Sequence, residues 1–291
     1  MSVIEVHELT KYYGKTKAVD GISFAIDEGE IFGFLGPNGA GKSTTIRCMM
    51  DFIRPQQGSV GILGKDAQKN SVELKKDIGY LAGNVRLYGK WTGKEHIEYF
   101  HKLNGGMEYA EVLSRQLDYN SAMPVKQLSS GNKQKLGIIL AFMSRPSVLI
   151  LDEPTLGLDP LLQNSVYSLL AEATGNGATV FMSSHNLGEV DRVCSRVGII
   201  RLGKMVATEN IAALKKKKIS TMYVEFAEKI DTGRLLDDNS ELVREDQHAL
   251  TLKIKGDINR LIKQLGSHTI TDIRITQASL EDIFMEYYEK E

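Results

Sequence analysis

The chain is poor in several things, and each shortage removes a class of function. Two cysteines, Cys48 and Cys194, occur among 291 residues. Neither belongs to a C-x-x-C pair or a metal-spaced cluster, so no cysteine-held metal or redox pair is available, and both read as core thiols of a reducing compartment. The formal net charge is −1, which leaves no basic excess for nucleic acid or an anionic membrane surface, and no nucleic-acid partner is expected. The opening stretch MSVIEVHELTK lacks the basic-then-apolar order of a secretion signal. The longest apolar run, LGIILAFM from Leu136 to Met143, is far short of the ~20 residues a membrane span needs. Internal repeats and low-complexity segments are missing too. These absences predict a cytosolic chain unless a partner holds it to a membrane.

What is present is ordinary globular material, 42% hydrophobic and 25% charged, enough for one large domain or two modest ones. Over the first two thirds, short apolar runs alternate with helical segments, the pattern of an α/β domain. The strand candidates are VIEVHEL, ISFAI, EIFGFLG, SVGILG, DIGYLAG, SVLILDE, ATVFMSSH and RVGIIRL. Between DIGYLAG and SVLILDE, from about Tyr88 to Arg145, the chain reads as helices only: GKEHIEYFHKL, MEYAEVLSRQLDY and GNKQKLGIILAFMSR. That spacing predicts a helical subdomain inserted into the α/β core. The run KKKK at Lys215 to Lys218 reads as a solvated helix end and interrupts the pattern. From Ile219 onward there are fifteen acidic and nine basic residues, a balance of −6 against +5 for the rest. The asymmetry separates a main domain, 1–215, from a smaller one, 219–291. The smaller reads as α+β: MYVEF, ALTLKI, the helical DINRLIKQL, DIRIT, and a closing helix SLEDIFMEYYEK.

The chemistry begins at GPNGAGKST, which comprises Gly36, Pro37, Asn38, Gly39, Ala40, Gly41, Lys42, Ser43 and Thr44 and fits G-x-x-x-x-G-K-[ST]. The glycines let successive backbone N–H groups converge on phosphate oxygens, and the helix that follows points its positive end at them. Lys42 reaches the β- and γ-phosphates in such a loop, and Ser43 ligands Mg²⁺. A chance match in a chain this long has a probability of roughly 1% from average residue usage. A second signal, SVLILDEPT, stands 110 residues further on. An apolar run ending in a carboxylate is what a buried parallel strand needs to present Asp152 to Mg²⁺ at the sheet's C-terminal edge. Glu153 is then placed to polarise an attacking water, which favours ATP hydrolysis over transfer to a substrate.

A third stretch, QLSSGNKQKLGIILAFMSRP, sets Ser129, Gly131 and Asn132 at the mouth of a helix. It resembles the LSGGQ signature of ATP-binding cassette (ABC) proteins and stands in its usual place before the Asp-Glu pair. The resemblance extends over nearly all of 1–215. It implies that Tyr13 in KYYGKTKAV stacks adenine, that Asp159 in TLGLDP belongs to the D-loop, and that His185 in MSSHNLGEV is the switch histidine at the γ-phosphate and attacking water. It implies an ABC-type P-loop NTPase fold and two nucleotide domains paired head to tail, the signature of one, through Ser129 and Gly131, covering the ATP of the other. Two departures stand out. Gly83 followed by Asn84 occupies the place of the family's Gln, so Asn84 is a candidate amide ligand for Mg²⁺; and the signature reads LSSGN, with Ser130 and Asn132 for Gly and Gln.

With one cassette, no long coiled-coil insertion and no fused membrane domain, the chain resembles the stand-alone ATPase subunits of bacterial ABC-2-type exporters, including in the tail ASLEDIFMEYYEKE. That resemblance implies a peripheral subunit at the cytoplasmic face of the cell membrane, docking two membrane-spanning permease subunits through its helical subdomain. It also implies export of an amphipathic compound such as a peptide or drug. The competing readings are an importer ATPase and an ATP-switched regulatory module whose hydrolysis is incidental. The smaller domain is expected to strengthen dimerisation. Outside the motifs, His96, His101 and His248 have no catalytic context; Trp91, Tyr88 and Tyr99 read as packing residues, and Met49 and Met50 as core behind the phosphate loop.

Overall fold

A computed structural model of the chain describes residues 1–216, 219–228, 240–255 and 258–277. They fall into two compact units, Met1–Glu209 and Asn210–Glu291. The break precedes the lysine run because the short helix ahead of it groups with the second unit.

In chain order the first unit comprises β1 (Ser2–Tyr13), β2 (Thr16–Asp27), β3 (Ile31–Leu35), α1 (Lys42–Met49), β4 (Gln57–Ile62), β5 (Lys65–Asp66), α2 (Ser71–Leu74) and β6 (Ile78–Leu81). There follow α3 (Gly93–Asn104), α4 (Met107–Gln116), a 3₁₀ turn at Val125–Gln127, α5 (Ser130–Phe142), β7 (Val148–Asp152), α6 (Pro160–Gly175), β8 (Thr179–Ser184), α7 (Leu187–Val193), β9 (Arg196–Arg201) and β10 (Lys204–Asn210). A six-stranded sheet has the order β10-β9-β3-β8-β7-β6, and a four-stranded one the order β2-β1-β4-β5. The pairs β3/β8, β3/β9, β7/β8 and β6/β7 are parallel.

The parallel strands IFGFL, VLILD and TVFMSS are buried at every position, as strands covered on both faces must be. Phe24 of the antiparallel sheet stacks on Phe32 at 5.5 Å and meets Phe34 at 5.4 Å, with Phe34 against Phe181 at 5.3 Å. These rings hold the two sheets together. Met49, Met50 and Cys48 are buried in the same core, and Cys194 is buried elsewhere; both cysteines are free. Burial pushes the Cys48 thiol up to about 11 and the Cys194 thiol up as well, so neither is a reactive thiolate at neutral pH.

The helical insertion between β6 and β7 is built by local signals. Thr92 and Glu95 close a capping box on α3, the Thr92 hydroxyl accepting from the Glu95 N–H at 3.2 Å and the Glu95 carboxylate accepting from the Thr92 N–H at 2.6 Å. α5 is buried along most of its length and lies tight against β6, where a Cβ on Gly79 would come within 2.0 Å of the Ala141 carbonyl oxygen. No helix among the described residues is long and apolar enough to cross a membrane.

The eight strand runs read from the sequence are all strands here, and the structure adds β5 and β10, which are two residues long and alternately exposed respectively. In the second unit, α8 (Ile211–Lys216) precedes β11 (Ile219–Phe226), β12 (Ser240–Glu245), β13 (Ala249–Lys255), α9 (Asn259–Leu265) and β14 (Ile270–Gln277). Their sheet has the order β12-β13-β11-β14. Met222, Val224, Phe226, Leu250, Leu252 and Ile254 from one face bury with Leu261 and Leu265 of α9. β12 went unread because SELVRE is polar and mostly exposed. The expected closing helix SLEDIFMEYYEK lies outside the described residues.

Candidate active site

Three parallel strand ends and one helix start meet at one edge of the large sheet. The loop between β3 and α1 needs its glycines for different reasons. Gly39 and Gly41 have φ of 81° and 114°, in the half of conformational space that side chains disfavour. At Gly36 a Cβ would stand 2.4 Å from the Ile200 carbonyl oxygen, and at Gly41 2.6 Å from that of Ala18. The loop is thus wedged between β9 and the start of β2. α1 has no side-chain cap, so the first N–H groups of the helix, those of Lys42, Ser43 and Thr44, point outward without a partner within it. They line a cavity of about 160 Å³ with Pro37, Asn38, Gly39, Gly41, Ala18 and Glu153. Outward N–H groups at a positive helix end beside a lysine are a fitting seat for phosphate oxygens.

Lys42 is buried and donates to the carbonyls of Gly36 at 2.6 Å and Pro37 at 3.2 Å. Its Nζ is 3.5 Å from Glu153 Oε1. The other carboxylate oxygen, Oε2, lies 2.9 Å from His185 Nδ1. A carboxylate cannot donate, so Nδ1 carries the proton in this bond. Glu153 has φ 51°, left-handed for a residue with a full side chain, a strain of order 1–3 kcal/mol of the kind that collects at reacting centres. Several bonds hold it there. Its N–H reaches Ser183, the carbonyl at 3.2 Å and the hydroxyl at 3.1 Å. From α5, Gln134 Nε2 donates to the carbonyls of Glu153 at 3.4 Å and Pro154 at 3.0 Å.

Asp152 ends β7 almost wholly buried, and the Ser183 hydroxyl donates to its Oδ1 at 2.5 Å. Gly83 lies close beside it: a Cβ there would be 3.1 Å from Asp152 Oδ2, a tight contact. Ser43 and Asp152 are the residues that could hold a divalent ion. Among the described residues no group of three His, Cys, Asp or Glu side chains is placed to bind a metal. Asn84 is exposed three residues past the end of β6 and does not line the cavity.

Ser129 caps α5, accepting from the Asn132 N–H at 3.2 Å, and is exposed. Gly131 of that helix start faces the Gly157 carbonyl, 3.5 Å from where its Cβ would be. Asp159 caps α6 through the N–H groups of Leu161 and Leu162 at 3.0 and 3.1 Å. Neither Ser129 nor Asp159 is among the residues lining the cavity of its own chain. Tyr13 is 45% exposed, with Lys11 Nζ 5.7 Å from its ring centre.

Motif reading overlooked Ser183, Gln134 and Glu189, which bond to the segment Asp152–Thr155. Their signal was positional: a serine before the histidine's strand end, a glutamine one turn into the signature helix, a glutamate one turn past the histidine. His96, read from the sequence as having no catalytic context, is buried, accepts from the Tyr88 N–H at 3.1 Å and faces the Thr92 carbonyl at 2.8 Å through Nδ1. Tyr88 and Tyr99 are 66% and 46% exposed, yet both pack on Trp91 as read from the sequence, with ring centres 4.8 and 5.6 Å from it.

A phosphate-binding loop on a parallel sheet, a buried aspartate, an adjacent glutamate and a helical insertion define a P-loop ATPase. Residues 19–156 match the ABC transporter family. The chain is 34% identical to the bacitracin transport ATP-binding protein BcrA of Bacillus licheniformis, over 98% of this chain and 96% of that one. It is 34% identical to the linearmycin resistance ATP-binding protein LnrL of Bacillus subtilis, over 70% of this chain and 68% of that one. An ATP-binding subunit of an ABC transporter has the same fold, with 28% identity, a TM-score of 0.68, and coverage of 74% and 92%. The chain belongs to the ATP-binding cassette transporter family: it is an ATP-binding, ATP-hydrolysing subunit.

Proposed function

We propose that this ATPase subunit drives an exporter, with Glu153 as the base of hydrolysis. Similarity over almost the whole length, second unit included, to a bacitracin transport protein supports export of an amphipathic peptide or drug. In this reading the amides of Gly36 to Thr44 and Lys42 bind the phosphates of ATP, and Tyr13 stacks the adenine. Ser43 and Asp152 hold Mg²⁺, which when bound neutralises charge developing on the transferred phosphoryl group. Glu153 orients and deprotonates the attacking water while His185 fixes the carboxylate and meets the γ-phosphate edge. Ser129, Gly131 and Asp159 serve the cavity of a second cassette, paired head to tail with this one or supplied by a homologous subunit. Two membrane-spanning permease subunits dock on the helical insertion and keep the chain at the cytoplasmic face of the membrane.

The observation that carries the reading is the placement of Glu153: left-handed, between Lys42 and His185, at the phosphate seat. Glu153→Gln keeps the shape and removes the base, so hydrolysis of Mg-ATP is expected to fall about 10²–10⁴-fold. ATP stays bound, and light scattering is expected to show a dimer with Mg-ATP and a monomer without. Equal hydrolysis by wild type and variant would refute the role of Glu153. Tight ATP binding with no shift in mass would refute self-pairing and favour a homologous partner.

A further inference from the structure

We infer that Glu189 is a positioning residue for ATP hydrolysis, a buried bridge that sets the spacing between the segment carrying Glu153 and the segment carrying His185. Its side chain is 4% exposed, yet it meets two hydroxyls at short range: Thr155 Oγ1 donates to Oε1 at 2.6 Å, and Ser184 Oγ donates to Oε2 at 2.6 Å. Thr155 lies two residues after Glu153, and Ser184 immediately before His185. One carboxylate therefore spans the gap between β7's exit and β8's end. Ser184 also accepts from the Asn186 N–H at 2.9 Å, and Asn186 caps α7, so the bridge includes the base of the histidine's own helix.

The physical case rests on cost. Burying a carboxylate is expensive unless it is well paired, and burial does raise this carboxyl above its usual range, with the Glu153 charge a lesser contribution in the same direction. Its bonded partners among the described residues are the two hydroxyls. An apolar side chain of similar volume would avoid the penalty but take the 2.6 Å acceptors from the buried hydroxyls of Thr155 and Ser184, leaving Ser184 to donate only over the longer 3.3 Å to the Asn186 carbonyl. Above the bridge, the contact of His185 with Glu153 is on the surface, the imidazole being 49% exposed. An exposed pair of that kind is weak and needs a support beneath it to keep its geometry. The rigid element under it is Glu189, which touches neither the phosphate cavity nor Lys42 in the structure's bonds.

The inference rests on Glu153 and His185 acting in hydrolysis, and the test separates the two claims. Compare wild type, Glu189→Ala, Glu189→Gln and Thr155→Val for hydrogen exchange of residues 153–159 and 184–187, for ATP affinity and for kcat. Loss of the bridge in Glu189→Ala is expected to speed exchange in both segments. kcat should fall about 10–100-fold, the scale of a ~1 Å misplacement, with ATP affinity changed less than threefold. Glu189→Gln, whose amide can accept from one hydroxyl and donate to the other, is expected to recover at least a third of kcat. Thr155→Val, nearly isosteric, should shift exchange and kcat in the same direction and serves if Glu189→Ala does not fold. Unchanged exchange, unchanged kcat, loss of ATP binding in step with kcat, or a Gln variant as poor as Ala would each overturn the bridge. A wild type that binds ATP without hydrolysing it would overturn the hydrolytic reading instead, and the exchange comparison would still decide the bridge.

Discussion

Ser183→Ala probes the support of Asp152 with little else disturbed. Ser183 is completely buried, and its hydroxyl makes two bonds: it donates to Asp152 Oδ1 at 2.5 Å and accepts from the Glu153 N–H at 3.1 Å. The second bond is redundant, because the same N–H also reaches the Ser183 carbonyl at 3.2 Å. The first has no substitute on that oxygen, and a buried carboxylate loses a charge-assisted bond. Such bonds contribute about 1.5–3 kcal/mol. For a unit of this size each kcal/mol moves the midpoint by roughly 2–4 °C, so the thermal transition of the first unit is expected about 3–12 °C lower. Scanning calorimetry of wild type, Ser183→Ala, Asp152→Asn and the double variant isolates the pair. A coupling energy near 2 kcal/mol is expected for residues in direct contact. A fall in midpoint under 1 °C, or additive single effects, would refute the claim that this hydroxyl holds the carboxylate in place.

Other consequences are sharp enough to measure. Gly79→Ala forces a methyl to 2.0 Å from the Ala141 carbonyl oxygen, so α5 must move off β6; a loss of about 1–3 kcal/mol is expected by urea titration, and a fully stable variant would contradict the close approach. Asp159→Ala removes two cap bonds from α6 and should cost about 1 kcal/mol by the same titration. Burial raises the Glu189 carboxyl above 4.5, so its contribution to stability is full below pH 4.5 and is lost as pH rises through the raised value. Wild type should accordingly lose ground to Glu189→Gln across that window on the alkaline side, and a stability difference independent of pH would contradict it.

The sequence alone determined everything that depends on a short stretch of chain. Wholly apolar runs such as VLIL must be strands covered on both faces, and a glycine-rich turn between such a strand and a helix must expose backbone N–H groups, so the sheet, the helical insertion and the phosphate seat were legible. Alternating or polar edge strands such as β10 and β12 were not, because half of each faces water and carries no apolar signal. Nor could local pattern show what distance in the chain conceals. Glu153, Lys42 and His185 are far apart in sequence, and only the parallel order of β3, β8 and β7 brings them together. The left-handed turn at Glu153, the Ser183 bond to Asp152, the reach of Gln134 from α5 and the Glu189 bridge beneath His185 exist because buried polar groups must find partners wherever the fold places them. Motifs specify which residues react, while partners for buried groups are chosen by tertiary packing, which no spacing rule in one sequence encodes.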